Sequence, residues 1–188
     1  NDFQAAIRLA SEAGFDGIEI HGAHGYFLHG LISKYALGSK DHNNKGLEAC
    51  EKIVYSCQRE AKKHGLLMSF RISTHMIDNN YLGLKDLNLS DFIPRLSKAG
   101  VDVFHSSELH VGQPAFRSKI SLGKAIREHT EKPIIGCGGL NSLADADALL
   151  KTNVYDLVAF GRQLMKASTI PIESDNKKFD YGEHFTSL

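Results

Sequence analysis

The sequence predicts an α/β fold built on a parallel sheet, and three observations indicate it. Short apolar strands alternate with segments of helical periodicity. Glycines such as Gly14, Gly65 and Gly100 end the predicted helices. Helices of this length between strands form right-handed βαβ units, whose strands are parallel. With 188 residues, the chain is long enough for one domain.

The elements follow one another in a regular cycle. The first helix begins at Asp2, and a long polar, glycine-rich loop is expected from the first strand to about Gly46. Ser90 and Ser142 are expected to cap the third and fifth helices. The predicted strands are 17–21, 67–73, 101–105, 133–137 and 156–160. The predicted helices after the first are 47–64, 90–100, 120–129 and 142–150.

Five parallel strands fit two architectures, an open doubly wound sheet or part of a (β/α)₈ TIM barrel. The glycines after the last two strands favour the barrel. Barrels often bind a phosphate with the loops after strands 7 and 8. The five strands would then be strands 4–8. Residues 1–188 would form the C-terminal portion of one barrel, with 163–188 as a C-terminal extension.

Composition excludes several classes of function. Lys plus Arg and Asp plus Glu both total 22, which argues against a nucleic-acid or anionic-membrane surface. No apolar run approaches the roughly 20 residues of a membrane helix. The three cysteines are odd in number and lack metal-ligand spacing, which favours free thiols in a reducing compartment, and hence a cytoplasmic protein. A small-molecule partner is expected, and homo-oligomerisation is left open.

The last two strand ends predict an anion site. Gly138 and Gly139 follow the fourth strand, and Gly161 and Arg162 follow the fifth. Glycines allow a ligand to approach the backbone N–H groups, and a guanidinium suits phosphate. Tight turns alone would also explain glycines here, but two consecutive turns with an arginine favour a phosphate site.

The first strand end carries a candidate catalytic group. His21, His24 and Tyr26 lie at the edge of the sheet where parallel α/β folds bind ligands. Paired imidazoles can donate hydrogen bonds to a substrate oxygen. A metal site is disfavoured because a third ligand is not evident. A tyrosine hydroxyl is protonated at pH 7 and can act as a general acid. The remaining histidines are scattered, and most are expected at the surface.

Arg71 lies within an otherwise apolar strand, on the face shared with Ser69 and Ser73. A buried guanidinium needs an anion or an acceptor. Two partners remain open: Glu19 on the neighbouring strand, or a bound electron-rich cofactor.

The segment from Gly14 to Leu28, GFDGIEIHGAHGYFL, resembles the fourth strand and following loop of the Old Yellow Enzyme family. The resemblance continues through Phe70-Arg71, Pro133 to Leu140 and Asp156 to Arg162. These proteins are FMN-dependent NAD(P)H oxidoreductases, or ene-reductases. The His-x-x-His form is similar to that of the bacterial subgroup.

The resemblance implies specific roles. His21 and His24 would hydrogen-bond the oxygen of an activated alkene, and Tyr26 would protonate its α-carbon. Arg71 would contact the flavin ring of FMN. The FMN phosphate would be held by Gly138, Gly139, Gly161 and Arg162. NAD(P)H would be the reductant, and no metal is implied.

The chain also departs from the family pattern. The loop after the first strand keeps Ser33 and Asp41 but lacks the family's Pro, Arg and Tyr-Gly-Gly. The family's first three βα units are absent, so we expect a fragment of a longer enzyme. Two alternatives remain: a non-catalytic barrel remnant, or another phosphate-binding barrel enzyme such as an isomerase or aldolase.

Overall fold

A computed structural model describes residues 2–33, 42–76, 82–166 and 170 of the chain. Strands and helices alternate along it, and a 3₁₀ turn covers Leu84–Asp86. The strands are β1 (Gly17–His24), β2 (Leu67–Met76), β3 (Val103–Ser107), β4 (Ile134–Cys137) and β5 (Leu157–Ala159). The helices are α1 (Asp2–Glu12), α2 (Phe27–Ile32), α3 (His42–Lys63), α4 (Leu89–Ala99), α5 (Leu122–Arg127), α6 (Leu143–Leu150) and α7 (Arg162–Lys166).

The order of the strands decides between the two predicted architectures. All five are parallel and adjacent in chain order, β1-β2-β3-β4-β5. A doubly wound sheet reverses its strand order at a switch point, whereas a barrel adds each strand beside the previous one. The sheet is therefore a segment of a (β/α)₈ barrel.

The core lies between the outer face of the sheet and the helices. Met68, Phe70 and Ile72 point outward from β2 and are completely buried. Phe70 packs edge-to-face on Phe92 of α4, with 5.6 Å between ring centroids. Among the helices, α3 contacts α1, α2 and α4, and α4 contacts α5. Because the helices cover the outer face, the polar residues of β1, β2 and β3 lie on the opposite, inner face.

Four predicted boundaries are wrong, each for a local reason. The predicted loop after β1 contains α2, whose Leu28, His29 and Ile32 are buried at helical spacing. β1 continues past His21 because a register shift between Gly22 and His24 keeps the chain in the sheet.

At β3, the strand is displaced from the predicted 101–105 to Val103–Ser107. The backbone N–H of Val101 bonds the Leu96 carbonyl and so closes the end of α4. The start of α4 also differs, because Asn88 rather than Ser90 is its N-cap residue. The predicted cap at Ser142 is confirmed: its side chain accepts a hydrogen bond from the Asp145 N–H at 3.0 Å.

The expected C-terminal extension lies almost wholly outside the described residues, which include only 163–166 and 170 of it. Ser33 is described, but Asp41 is not. In the described part of the chain, no helix has the length and apolar character that a membrane crossing requires.

Candidate functional site

The candidate site lies on the inner face, toward the carboxyl ends of the strands. His21 of β1 pairs in register with Arg71 of β2, which pairs with His105 of β3. Two residues farther along, Ser73 pairs with Ser107, and Ser107 with Cys137. Because side chains alternate along a strand, both rows project from the same face.

The turn after β1 holds His24 in an unusual conformation. His24 and Gly25 both have left-handed φ angles, +62° and +87°. The His24 N–H donates to Ser73 Oγ at 2.8 Å, and the Gly25 N–H donates to His29 Nδ1 at 2.7 Å. These two bonds tie the turn to β2 and to α2, so the direction of the His24 side chain is set by the fold.

Four rings cluster at this edge of the sheet. The His21 ring centroid lies 5.1 Å from that of His24 and 5.3 Å from that of Tyr26. The ring centroid of His75, near the end of β2, lies 4.8 Å from that of His24, with the two ring planes tilted by 39°. Tyr26 is 49% exposed, so its hydroxyl-bearing ring is open to a ligand that enters from solvent.

A single hydroxyl connects the histidine cluster to Arg71. Ser107 Oγ accepts a hydrogen bond from Arg71 Nη2 at 3.0 Å and lies 3.0 Å from His24 Nε2. Ser107 is only 4% exposed. Three neighbouring strands thus contribute one continuous polar chain.

Glu19 on β1 also contacts Arg71, and it contacts His105 of β3 as well. Its carboxylate lies 2.7 Å from His105 Nδ1, accepts from Ser69 Oγ at 2.9 Å, and stands 3.9 Å from Arg71 Nη1. Glu19, one of the two partners that the sequence analysis left open for Arg71, therefore lies near its guanidinium. The Arg71 Nε, however, is buried without a hydrogen-bond partner in the described part of the chain, so the guanidinium retains one unused donor.

Burial and neighbouring cations keep most of these imidazoles neutral. Burial, with the charges of Arg71 and nearby rings, lowers the pKa of His21, and it lowers the pKa of His24 to about 3. The pKa of His75 falls to about 4 through burial and the nearby Arg71 and Arg162 guanidiniums.

His105 has the opposite shift. Burial lowers its pKa, but hydrogen bonds to Cys137 and Glu19 outweigh that effect and raise it. Burial raises the pKa of Glu19, yet the contacts with His105, Ser69 and Arg71 lower it overall. These shifts favour neutral imidazoles at His21 and His24 and the charged forms of Glu19 and His105. No group of three or more metal-ligating side chains occurs among the residues that the structure describes.

The two glycine turns lie side by side. Asn141 Nδ2 donates to the Gly139 carbonyl at 3.1 Å, and Gln163 Nε2 donates to the Asn141 carbonyl at 2.8 Å. Arg162 begins α7 directly after Gly161 and is close enough to lower the pKa of His75. Arg162 therefore lies within electrostatic range of the histidine cluster.

The glycines of these turns differ in what surrounds them. A Cβ on Gly138 would lie 1.7 Å from the Glu108 carbonyl oxygen, so close backbone packing requires glycine there. Gly139 has φ +67° and would place a Cβ 3.0 Å from the Leu109 carbonyl oxygen. Among the described residues, nothing lies within 4 Å of a Cβ built on Gly161. Of the three, Gly161 alone leaves open space for a ligand.

The sequence interpretation assigned no role to several residues of this site. Ser107 and His75 lie beyond the predicted ends of their strands, although each continues the alternation that begins with His105 and Arg71. His29 and His105 are buried rather than at the surface, at 0% and 7% exposure. Extending the alternation by two residues on each strand would have found Ser107 and His75.

Comparison with known proteins gives a consistent result. The sequence pattern of the NADH:flavin oxidoreductase / NADH oxidase family matches residues 1–176. A 12-oxophytodienoate reductase-like protein of Solanum lycopersicum is 31% identical over 184 residues, which cover 91% of this chain and 46% of that protein. An NADPH dehydrogenase of Clostridium acetobutylicum is 28% identical over 176 residues, covering 87% of this chain and 50% of that protein.

A solved structure shows the same fold. The Old Yellow Enzyme homologue from Zymomonas mobilis superposes with a TM-score of 0.67 at 20% identity, over 93% of this chain and 52% of that one. The partial barrel predicted from the sequence is thus confirmed. The chain spans about half the length of the relatives that it matches.

Proposed function

Because the chain belongs to the NADH:flavin oxidoreductase / NADH oxidase family, we propose that its full-length protein transfers hydride from NAD(P)H, through FMN, to an activated alkene. The observation that carries this proposal is the clustering of the His21, His24 and Tyr26 rings at the edge of the sheet where His21 pairs with Arg71. We also infer that the five strands are strands 4–8 of the barrel. The remaining strands would lie in the other half of the full-length protein.

The residues present fit FMN at both of its ends. The unused Nε donor of Arg71 suits an electron-rich ring that gains negative charge on reduction. At the other end, Gly161 leaves open space beside Arg162, and Gly138 and Gly139 shape the adjoining turn. A guanidinium next to a bare backbone suits a phosphate. Bound FMN would supply the hydride-transfer chemistry that no side chain of this cluster can provide.

At the substrate end, His21 and His24 are proposed to bind the carbonyl or nitro oxygen of the alkene. Their lowered pKa values keep both imidazoles neutral at pH 7, and each ring then carries one N–H. Two hydrogen bonds to that oxygen stabilise the negative charge that develops on it as the β-carbon is reduced. Neutral donors leave the proton on the imidazole, so a separate acid is needed at carbon.

Tyr26 is proposed as that acid. Its ring adjoins His21 at 5.3 Å and is half-exposed, so its hydroxyl can reach a substrate held by the two histidines. It would donate its proton to the α-carbon and recover one from solvent. General acid catalysis of this kind contributes about 10²–10⁴-fold to a rate.

Separate measurement of the two half-reactions tests this assignment. In the full-length FMN-bound protein, Tyr26→Phe should slow alkene reduction about 10²-fold or more and leave flavin reduction by NAD(P)H nearly unchanged. Tyr55→Phe is the matched control, because Tyr55 is similarly exposed at 54% but lies on α3. Equal damage to both half-reactions would refute the role of Tyr26. A purified full-length protein without flavin absorbance would favour the non-catalytic remnant.

A further inference from the structure

The hydroxyl of Ser107 lies between the guanidinium of Arg71 and the imidazole of His24, 3.0 Å from each. We propose that Ser107 is a positioning residue: held by Arg71, it fixes His24 in the tautomer that carries its proton on Nδ1. The roles proposed above for the substrate end do not require this residue, and the sequence did not single it out for that purpose.

The direction of the two hydrogen bonds follows from the donors available. Arg71 has donors only, so Ser107 Oγ accepts from Nη2. The serine has one hydrogen left, and it is 4% exposed, so that hydrogen needs an acceptor inside the protein. Among the hydrogen bonds of the described residues, His24 Nε2 is the acceptor within reach. Were Nε2 protonated instead, the buried serine hydrogen would be left without a partner.

The neutral ring of His24 has a single N–H that can donate a hydrogen bond. Burial and the nearby His75 and Arg71 lower the pKa of His24 to about 3, so the imidazole is neutral at pH 7 and carries a single N–H. Because Nε2 accepts from Ser107, that N–H is on Nδ1. The turn that carries His24 is anchored by its backbone bond to Ser73 at 2.8 Å, which keeps the ring near β3.

This arrangement couples the two ends of the proposed site. Arg71 polarises the Ser107 hydroxyl, and the polarised hydroxyl is a stronger donor to His24. Arg71, which we place beside the flavin, thereby determines which nitrogen of His24 can donate a hydrogen bond to the substrate. This coupling rests on the proposed function, whereas the tautomer of His24 does not.

The tautomer can be measured directly by NMR. In the full-length protein labelled with ¹⁵N-histidine, long-range ¹H–¹⁵N correlation spectra distinguish Nδ1–H from Nε2–H, and His24→Gln identifies the His24 signals. The unmodified protein should show Nδ1–H. Ser107→Ala should shift the tautomer ratio toward Nε2–H by about fivefold, the factor that corresponds to one net hydrogen bond. Ser107→Thr keeps the hydroxyl and should restore the original ratio.

Ser106→Ala is the matched control, since it removes a neighbouring buried hydroxyl of β3 that bonds Glu108 instead. An Nε2–H tautomer in the unmodified protein overturns the proposal, as does an unchanged ratio in Ser107→Ala. Should Ser107→Ala fail to fold, the spectrum of the unmodified protein decides alone. The Nδ1–H tautomer together with no alkene reduction would support the positioning role while overturning the proposed function.

Discussion

Gly138 and Gly161 were both predicted to cradle a phosphate, and their surroundings predict opposite responses to alanine. Gly138 has φ +132°, and a Cβ there would lie 1.7 Å from the Glu108 carbonyl oxygen. Ordinary van der Waals contact would require the two backbones to separate by about 1.5 Å or more. A Cβ on Gly161, by contrast, would have no neighbour within 4 Å in the described part of the chain. The pair therefore separates a structural glycine from a ligand-facing one.

The expected cost of Gly138→Ala can be built from these contacts. An L-residue in this backbone region costs about 1–3 kcal/mol. The separation also threatens two hydrogen bonds, from the Glu108 N–H to the Cys137 carbonyl at 2.8 Å and from the Val111 N–H to the Gly138 carbonyl at 2.9 Å. At about 1 kcal/mol each, the expected loss of stability is about 3–5 kcal/mol, among the largest for single substitutions. Gly161→Ala should change stability by no more than about 0.5 kcal/mol.

Urea unfolding of the flavin-free full-length proteins measures both effects. The midpoint of Gly138→Ala should fall by about 1 M or more, while that of Gly161→Ala should match the unmodified protein. FMN titration then tests the ligand side, where Gly161→Ala should weaken binding. The reasoning is refuted if Gly138→Ala unfolds at the unmodified midpoint, or if Gly161→Ala is equally destabilised.

Three further predictions follow from the same site. Arg71→Gln should weaken FMN binding about tenfold or more, because it removes a charge-assisted donor, whereas Arg95→Gln on α4, whose side chain is 37% exposed, should not. A fluorescence titration in which both variants bind FMN within twofold of the unmodified protein would contradict this. The Glu19–His105 pair should stabilise the protein most between pH 4.5 and 6.5, the ordinary pKa values of its two groups. Its contribution should be lost as pH rises through the raised pKa of His105 and as pH falls through the lowered pKa of Glu19. Urea midpoints measured from below pH 4.5 to above pH 6.5 should show that bell shape in the unmodified protein but not in Glu19→Gln. Finally, burial raises the pKa of the Cys50 and Cys57 thiols to about 12 and 11, so iodoacetamide at pH 8 should spare both and modify the partly exposed Cys137. Mass spectrometry that finds Cys50 alkylated in the folded protein would contradict the packing of α3.

The sequence predicted each strand of the described part of the chain because each carries apolar residues that pack against the helices, as Met68, Phe70 and Ile72 do on β2. It misplaced elements where tertiary contacts override the local pattern. The bond from the Val101 N–H to the Leu96 carbonyl extends the end of α4 and displaces β3. The glycines around His24 suggested a loop, yet Leu28, His29 and Ile32 bury one face of a short helix.

The sequence predicted the part of the candidate site that consists of side chains toward the strand ends. The fold brings these residues to one edge of the sheet: His21, His24, Tyr26 and Arg71. Pairing across strands could not be predicted. The contact of Ser107 with both Arg71 and His24 depends on the register of β2 against β3, which no local pattern encodes. The need for glycine at position 138 likewise arises from the approach of Glu108, a residue thirty positions earlier in the chain.

A crystal structure of the full-length protein with FMN would test the central claim most directly. The account predicts the flavin ring within hydrogen-bonding distance of Arg71 Nε, the phosphate beside Gly161 and Arg162, and His21 and His24 facing the ring. A flavin bound elsewhere, or imidazoles directed away from it, would contradict the account.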